Sequence, residues 1–253
     1  MKEIELLYGD CIDLMQDIPS KSVDCIFTDL PYGTTKCAWD TQIPLDKMWE
    51  QYCRIIKDNG AILLFAQPPF DKVLGASNIG MFRYEWIWEK TSATGHYNAK
   101  KMPMKAHENI LVFYKKLPVY HPQMTEGCAP VHSFRKTITA QNRTELYGAA
   151  TKEIHGGGST LRYPRDVLKF PGDKQRSHLH PTQKPVALCE YLIRTYTDEY
   201  DTVLDSCMGS GTTGVAARNL NRRFVGIELN RKYFDIAYER IMENECLQNN
   251  STA

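Results

Sequence analysis

The sequence predicts a doubly wound α/β fold interrupted by one insertion, and three observations carry that expectation. Short apolar runs alternate with segments whose apolar residues recur at helical spacing. The alternation lapses over residues 116–178 and resumes beyond them. That block holds ten Lys and Arg against five Asp and Glu, a net +5 in a chain of net +1, so the remainder carries −4.

The elements follow in order. Ile4-Glu5-Leu6-Leu7-Tyr8 reads as a short strand closed by Gly9-Asp10, and residues 23–28 as a second strand. From Leu45, the apolar Met48, Trp49, Tyr52 and Ile56 lie on one helical face, with Asp58-Asn59-Gly60 as the expected stop. Residues 61–66, a continuous apolar run, fit a parallel strand covered on both faces. Residues 82–88 and 110–114 read as two more strands, with a Lys-rich loop over residues 91–105 between them. After the irregular block, residues 185–197 are helical, 202–205 a strand, 214–219 the opening of a helix and 223–228 a strand. Asn230 caps a final helix with Phe234, Ala237 and Ile241 inward.

Composition narrows the function. A chain of 253 residues can bury a substantial core. A net charge of +1 excludes a polybasic nucleic-acid coat, so any nucleic-acid surface must be local. The eight cysteines include no C-x-x-C pair and several sit in apolar runs, as reduced thiols do. The histidines show no metal-ligand spacing. No signal-peptide core or membrane-length apolar run is present, so a cytoplasmic protein is expected.

Two constellations carry chemistry. Gly209-Ser210-Gly211-Thr212-Thr213-Gly214 fits G-x-G-x-x-G between a strand and a helix, where glycine lets the backbone turn tightly and approach a ligand. Glu228, at the end of the next strand, is placed to accept two ribose hydroxyls. Asp205 precedes the glycines and would repel a pyrophosphate, whereas a cationic α-amino group such as that of S-adenosylmethionine would be held there. The other reading is a tight turn followed by a surface acid.

The second constellation is Asp29-Leu30-Pro31-Tyr32 at the carboxyl end of a strand, where open α/β sheets bind ligands. The exocyclic amine of a nucleobase is a poor nucleophile, because its lone pair is delocalised into the ring. Asp29 can accept one N–H and a backbone carbonyl of the turn the other, favouring a tetrahedral nitrogen. Leu30 supplies that carbonyl, Pro31 stiffens the turn, and Tyr32 offers a stacking face. The alternative is a capped turn with a core tyrosine.

In this order, the two constellations resemble the circularly permuted beta group of DNA amino-methyltransferases, specific for adenine N6 or cytosine N4. Asp29-Leu30-Pro31-Tyr32 is similar to the family's D-P-P-Y motif, and "LDSCMGSGTT" to its F-x-G-x-G-like motif. "HPTQKP", "WEK" and "HENILVFYK" resemble further family segments. The resemblance implies a Rossmann-like S-adenosylmethionine-dependent methyltransferase fold. Residues 1–115 would form its catalytic segment, 116–178 an inserted target-recognition region and 179–253 the donor-binding segment. It implies that Asp29, Leu30, Pro31 and Tyr32 serve the target base. Asp205, Gly209, Gly211 and Lys184 would hold the donor's methionine end, Glu228 the ribose, and Asp10 would lie near the adenine.

Double-stranded DNA is the implied partner, with Arg135, Lys136, Arg143, Lys152, Arg162 and Arg165 of the basic block as candidates for phosphate and base-edge contacts. Asp in the first motif position is commoner in the adenine enzymes of this family, and Ser in the N4-cytosine ones. The expected reaction is therefore site-specific methylation of adenine N6, with cytosine N4 as the alternative. A homodimer and a partner restriction nuclease are open on the resemblance. An NAD-dependent oxidoreductase would explain the glycines and Glu228, but not Asp205 or Asp29 and Tyr32. A DNA-binding protein without catalysis would leave the intact Asp29 and Glu228 idle.

Overall fold

The computed structural model describes residues 3–33, 41–130, 134–137, 153–172 and 183–249, with the backbone alone for 134–137, 153–155 and 243–249. These residues fall into two compact units. One comprises Met1–His121 with Asp166–Ala253, and the other is Pro122–Arg165.

The larger unit is built on an eight-stranded sheet. In chain order its strands are β1 (Ile4–Tyr8), β2 (Val23–Asp29), β3 (Ile56–Ala66), β4 (Phe82–Thr94), β5 (Lys105–Phe113), β8 (Val167–Phe170), β9 (Thr202–Asp205) and β10 (Arg223–Glu228). The smaller unit holds β6 (Phe134–Thr137) paired antiparallel with β7 (Glu153–Gly156). Spatial order in the large sheet is β1-β10-β9-β2-β3-β5-β4-β8. From β1 to β3 every pairing is parallel, and β4 pairs parallel with β8. β5 runs against both of its neighbours, β3 and β4. The residues at its start therefore lie at the edge where the other strands end.

Helices cover both faces, because each face of a parallel sheet must be buried. α1 (Cys11–Met15), α2 (Leu45–Ile55) and α3 (Phe70–Ser77) bury Met15, Met48, Tyr52 and Leu74 against Ile26, Ile62 and Leu64. α4 (Val186–Tyr196), α5 (Thr212–Asn219) and α6 (Arg231–Asn249) bury Leu192, Ala216 and Ile241 against Phe27, Leu63 and Val203 on the other face. Each such fully buried Leu, Ile or Phe stabilises the fold by about 1.5–3 kcal/mol. Among the described residues, no helix is long and apolar enough to cross a membrane.

Three local expectations are corrected. Asp58-Asn59-Gly60 does not stop α2, which ends at Ile55; these residues lie within β3, where the register against β2 shifts. A Cβ on Gly60 would stand 2.7 Å from the Asp24 carbonyl, so the glycine serves a close passage of two strands. The loop expected over residues 91–105 is shorter, since β4 runs on to Thr94, which faces Lys105. Helix α5 starts at Thr212 rather than Gly214. Helices α1 and α3 were not expected. Within residues 116–178, the compact unit is Pro122–Arg165, and β8 joins the main sheet beside β4.

Candidate active site

The chain leaves β9 through α5 for β10, while it leaves β2 through α2 for β3 on the opposite side. Neighbouring strands β9 and β2 thus form the switch point at which open α/β sheets leave a crevice. Asp205 ends β9 and Asp29 ends β2, one on each side of that point.

On the β9 side the glycine loop turns twice with positive φ, +51° at Gly209 and +78° at Gly211. A Cβ on Gly209 would meet no atom within 4 Å, whereas one on Gly211 would lie 2.9 Å from Ile241. Gly209 therefore faces open space and Gly211 seats the loop on α6. The Gly209 amide donates to Glu228 Oε2 at 2.9 Å, and the Asn230 amide to Oε1 at 2.7 Å. Burial raises the Glu228 carboxyl, and these amides oppose the rise.

Asp205 is buried. It accepts from the Thr28 hydroxyl at 2.6 Å and from the Cys207 amide at 3.1 Å. Burial pushes its carboxyl up to about 6, against the pull of the Thr28 and Thr213 hydroxyls. Asp10 follows β1, whose Tyr8 pairs with Glu228, and its carboxylate caps α1 by accepting from the amides of Ile12 and Asp13.

On the β2 side, Asp29 is held at both oxygens. The Tyr32 hydroxyl donates to Oδ1 at 2.7 Å, and the Lys184 ammonium sits 2.8 Å from Oδ2. Tyr32 stacks on Phe70 with ring centroids 5.2 Å apart, while Leu30 is buried beneath the turn. Lys184 immediately precedes Pro185, the N-cap of α4, and its ammonium also contacts Glu108 Oε2 at 2.8 Å. Glu108 Oε1 in turn meets Lys90 at 2.5 Å. A row of alternating charge results: Asp29, Lys184, Glu108, Lys90. Burial alone would raise the Glu108 carboxyl, but the two ammonium groups outweigh it and pull the group down to about 2. Burial likewise raises the Asp29 carboxyl, with Lys184 opposing.

Residues 23–239 match the N6/N4 methyltransferase family described as DNA methylase. The chain belongs to that family. This DNA methylase is 31% identical over 265 residues to the type II methyltransferase M.BglII of Bacillus subtilis, an alignment covering 96% of this chain and 70% of the relative. It resembles the crystal structure of the M1.HpyAVI–SAM complex with TM-score 0.64 and 25% identity, over 94% of this chain and 99% of that one. The cytosine-N4-specific PvuII DNA methyltransferase shares the fold, with TM-score 0.67 and 16% identity over 97% and 90% of the two chains.

In the methylase fold, Asp10, Asp205, Gly209, Gly211 and Glu228 gather at the ends of β1, β9 and β10. Asp29 and Tyr32 lie together at the end of β2. Lys184 has its ammonium between Asp29 and Glu108, beside the turn that was expected to serve the base. Lys90 and Glu108 entered the sequence reading only as members of the family-like segments "WEK" and "HENILVFYK". The signal that could have found them is the acid at the head of an apolar run, in "HENILVF", if that strand is taken as antiparallel.

Of the basic candidates, Arg162 and Arg165 are described in full. The Arg162 guanidinium donates to the carbonyls of Ser159, Leu161 and Ala129 within its own unit. Arg165 is exposed. Arg135 and Lys136 lie on β6, while Arg143 and Lys152 fall outside the described residues.

Proposed function

We propose that this methylase transfers the methyl group of S-adenosylmethionine to the N6 amino group of adenine, at a short specific sequence in duplex DNA. One observation carries the reading: Asp29, anchored at both oxygens yet with 26% of its side-chain surface accessible, stands at the switch point beside the strand bearing Asp205.

The residues fit that donor. Among the described residues, Asp205 has hydroxyl and amide partners and no cationic one, so an α-amino group would supply the charge that its buried carboxylate lacks. Glu228 is fixed by two amides and retains lone pairs for the ribose hydroxyls. Gly209 leaves its side of the loop clear. S-adenosylmethionine supplies an electrophilic methyl group on a sulfonium.

On the other side of the crevice, Asp29 accepts one N–H of the exocyclic amine and the Leu30 carbonyl accepts the other, raising the nitrogen's electron density. The raised carboxyl of Asp29 suits it to take the proton that the methylated nitrogen must lose. Tyr32, its ring backed by Phe70, presents a surface to a flipped base. Asp in the first motif place supports adenine over cytosine.

Target recognition would fall to the basic segment 116–178, which in sequence separates the catalytic segment of residues 1–115 from the donor segment of residues 179–253. Arg135, Lys136, Arg143, Lys152 and Arg165 would contact phosphates or base edges, with Arg162 bracing the backbone. Modification-aware sequencing of DNA from cells expressing the protein tests the whole proposal. N6-methyladenine at one short sequence is expected. N4-methylcytosine would overturn the base assignment, and unmodified DNA despite donor binding would overturn the reaction.

A further inference from the structure

The row Asp29–Lys184–Glu108–Lys90 is drawn from four places in the chain. Asp29 ends β2, Lys184 leads into α4, Glu108 lies near the start of the reversed strand β5, and Lys90 lies on β4. Trp88 of β4 stands opposite Glu108, so Lys90, two residues on, is on the same face of the sheet. Aromatic rings support both ammonium groups: Lys184 lies 4.8 Å from the Phe65 centroid and Lys90 5.4 Å from that of Trp88. Phe65 is the β3 partner of Asp29.

Exposure is concentrated at one end of the row, at Asp29. Side chains of Glu108 and Lys184 retain only 7% and 9% of their surface, Lys90 11% and Asp29 26%. Lys184, Glu108 and Lys90 are closed off, and the acid at the opposite end from Lys90 is open. Two acids and two bases make the row neutral overall, which is the arrangement that lets charges stay buried. Each inner group uses its contacts on the next. Glu108 gives one oxygen to Lys90 and the other to Lys184, so the position of Lys184 depends on Lys90 through Glu108.

Building on the methyl-transfer reading, we propose that Glu108 and Lys90 are positioning residues for catalysis. Lys90 orients Glu108, Glu108 holds the Lys184 ammonium against Oδ2 of Asp29, and the Asp29 carboxylate is thereby fixed in the plane that meets the target amine. Neither residue touches donor or base. Tyr32 holds the opposite oxygen, so the carboxylate can turn only if one of its two anchors yields. A shift of the acceptor by about 1 Å is enough to cost a reaction up to about 100-fold when the reacting groups must be aligned.

The test is single-turnover methyl transfer by Lys90→Met, Lys90→Arg and Glu108→Gln, with S-adenosylmethionine affinity measured by calorimetry on the same samples. Lys90→Met and Glu108→Gln are expected to slow the transfer step by about 10-fold or more while donor affinity stays within about twofold. Lys90→Arg, which keeps the charge, is expected to recover most of the rate. The pH profile supplies a readout that loss of packing alone would not move. Among the described residues, the ionisable groups facing Asp29 are Lys184, Glu108, Tyr32 and Asp205. Loosening Lys184 removes the main influence holding Asp29 ionised, so the acid limb of the profile should move to higher pH in Lys90→Met. Glu108→Gln is nearly isosteric and keeps the test usable if Lys90→Met does not fold. An unchanged transfer rate and acid limb in folded variants would overturn the positioning role while leaving the activity of the parent protein standing. Absence of transfer by the parent protein would instead overturn the activity on which the role rests.

Discussion

The Thr28 hydroxyl donates to Asp205 Oδ1 across 2.6 Å, between residues 177 positions apart in sequence. Thr28 is the immediate neighbour of Asp29 in β2, so adjacent residues of one strand serve opposite sides of the crevice. One faces the acid proposed for the donor, and the other is proposed for the base. Pairing of β2 with β9 sets the spacing between them.

Asp29→Ala is expected to abolish methyl transfer, lowering it by at least about 1000-fold, while S-adenosylmethionine binding is retained. Tritiated-methyl transfer and calorimetry on one preparation decide it. Retained transfer would remove Asp29 from the chemistry.

Donor binding should depend on pH through Asp205. The carboxyl is raised to about 6, so below that pH the folded protein protonates it and loses the attraction for an amino group. In the limit, affinity falls about tenfold per pH unit below about 6. Stability without donor has the opposite sense from that of a salt-bridged acid. Ionised Asp205 costs the fold about 3 kcal/mol above pH 6, a cost that fades as pH falls toward the ordinary carboxylate range. A donor ammonium offsets that cost. The rise in Tm with saturating S-adenosylmethionine should therefore be larger at pH 8 than at pH 5, and an equal rise at both would count against this role. Thr28→Val, which removes a hydroxyl that pulls the carboxyl down, should move the transition in affinity to higher pH.

The glycines of the loop should separate by phenotype. Gly214→Ala puts a Cβ 2.4 Å from Ile241 and 2.7 Å from Phe224, and should destabilise by about 1–3 kcal/mol in a denaturant titration. Gly209→Ala meets open space and strains only a left-handed φ, costing about 1 kcal/mol. It should nonetheless weaken donor binding the more of the two. The reverse order would place Gly209 away from the donor.

Arg162 and Arg165 should also behave differently. Arg165→Ala is expected to weaken duplex binding by about tenfold at low salt, with a shallower dependence on salt. Arg162→Ala removes donors from three carbonyls of its own unit and should make that unit more sensitive to proteolysis. Unchanged duplex affinity in Arg165→Ala would remove it from the interface.

The sheet was largely legible in the sequence, because continuous apolar runs such as residues 61–66 have few other homes. Final helix α6 was legible through Asn230, whose side chain does accept from the amides of Lys232 and Tyr233. Short helices left weaker signals: α1 has five residues and α3 eight, too few for a period to stand out. Asp58-Asn59-Gly60 resembles a stop for local reasons, and only the close passage of Asp24 reveals another purpose for Gly60. Partners of Lys184 were not legible at all. They depend on β5 being reversed and on Glu108 standing opposite Trp88, and register of that kind is a property of paired strands that one strand does not carry.

The row of charges crosses the chain in a way that has a use. Asp29, Lys90 and Glu108 precede the smaller unit in sequence, while Lys184, Asp205 and Glu228 follow it. A gene divided within that unit would yield two fragments, one with both acids of the row and the other with the ammonium that lies between them. Neither fragment would hold all the groups proposed for methyl transfer. A methyl mark left on DNA by the pair would then be a lasting record that two separately made polypeptides had met.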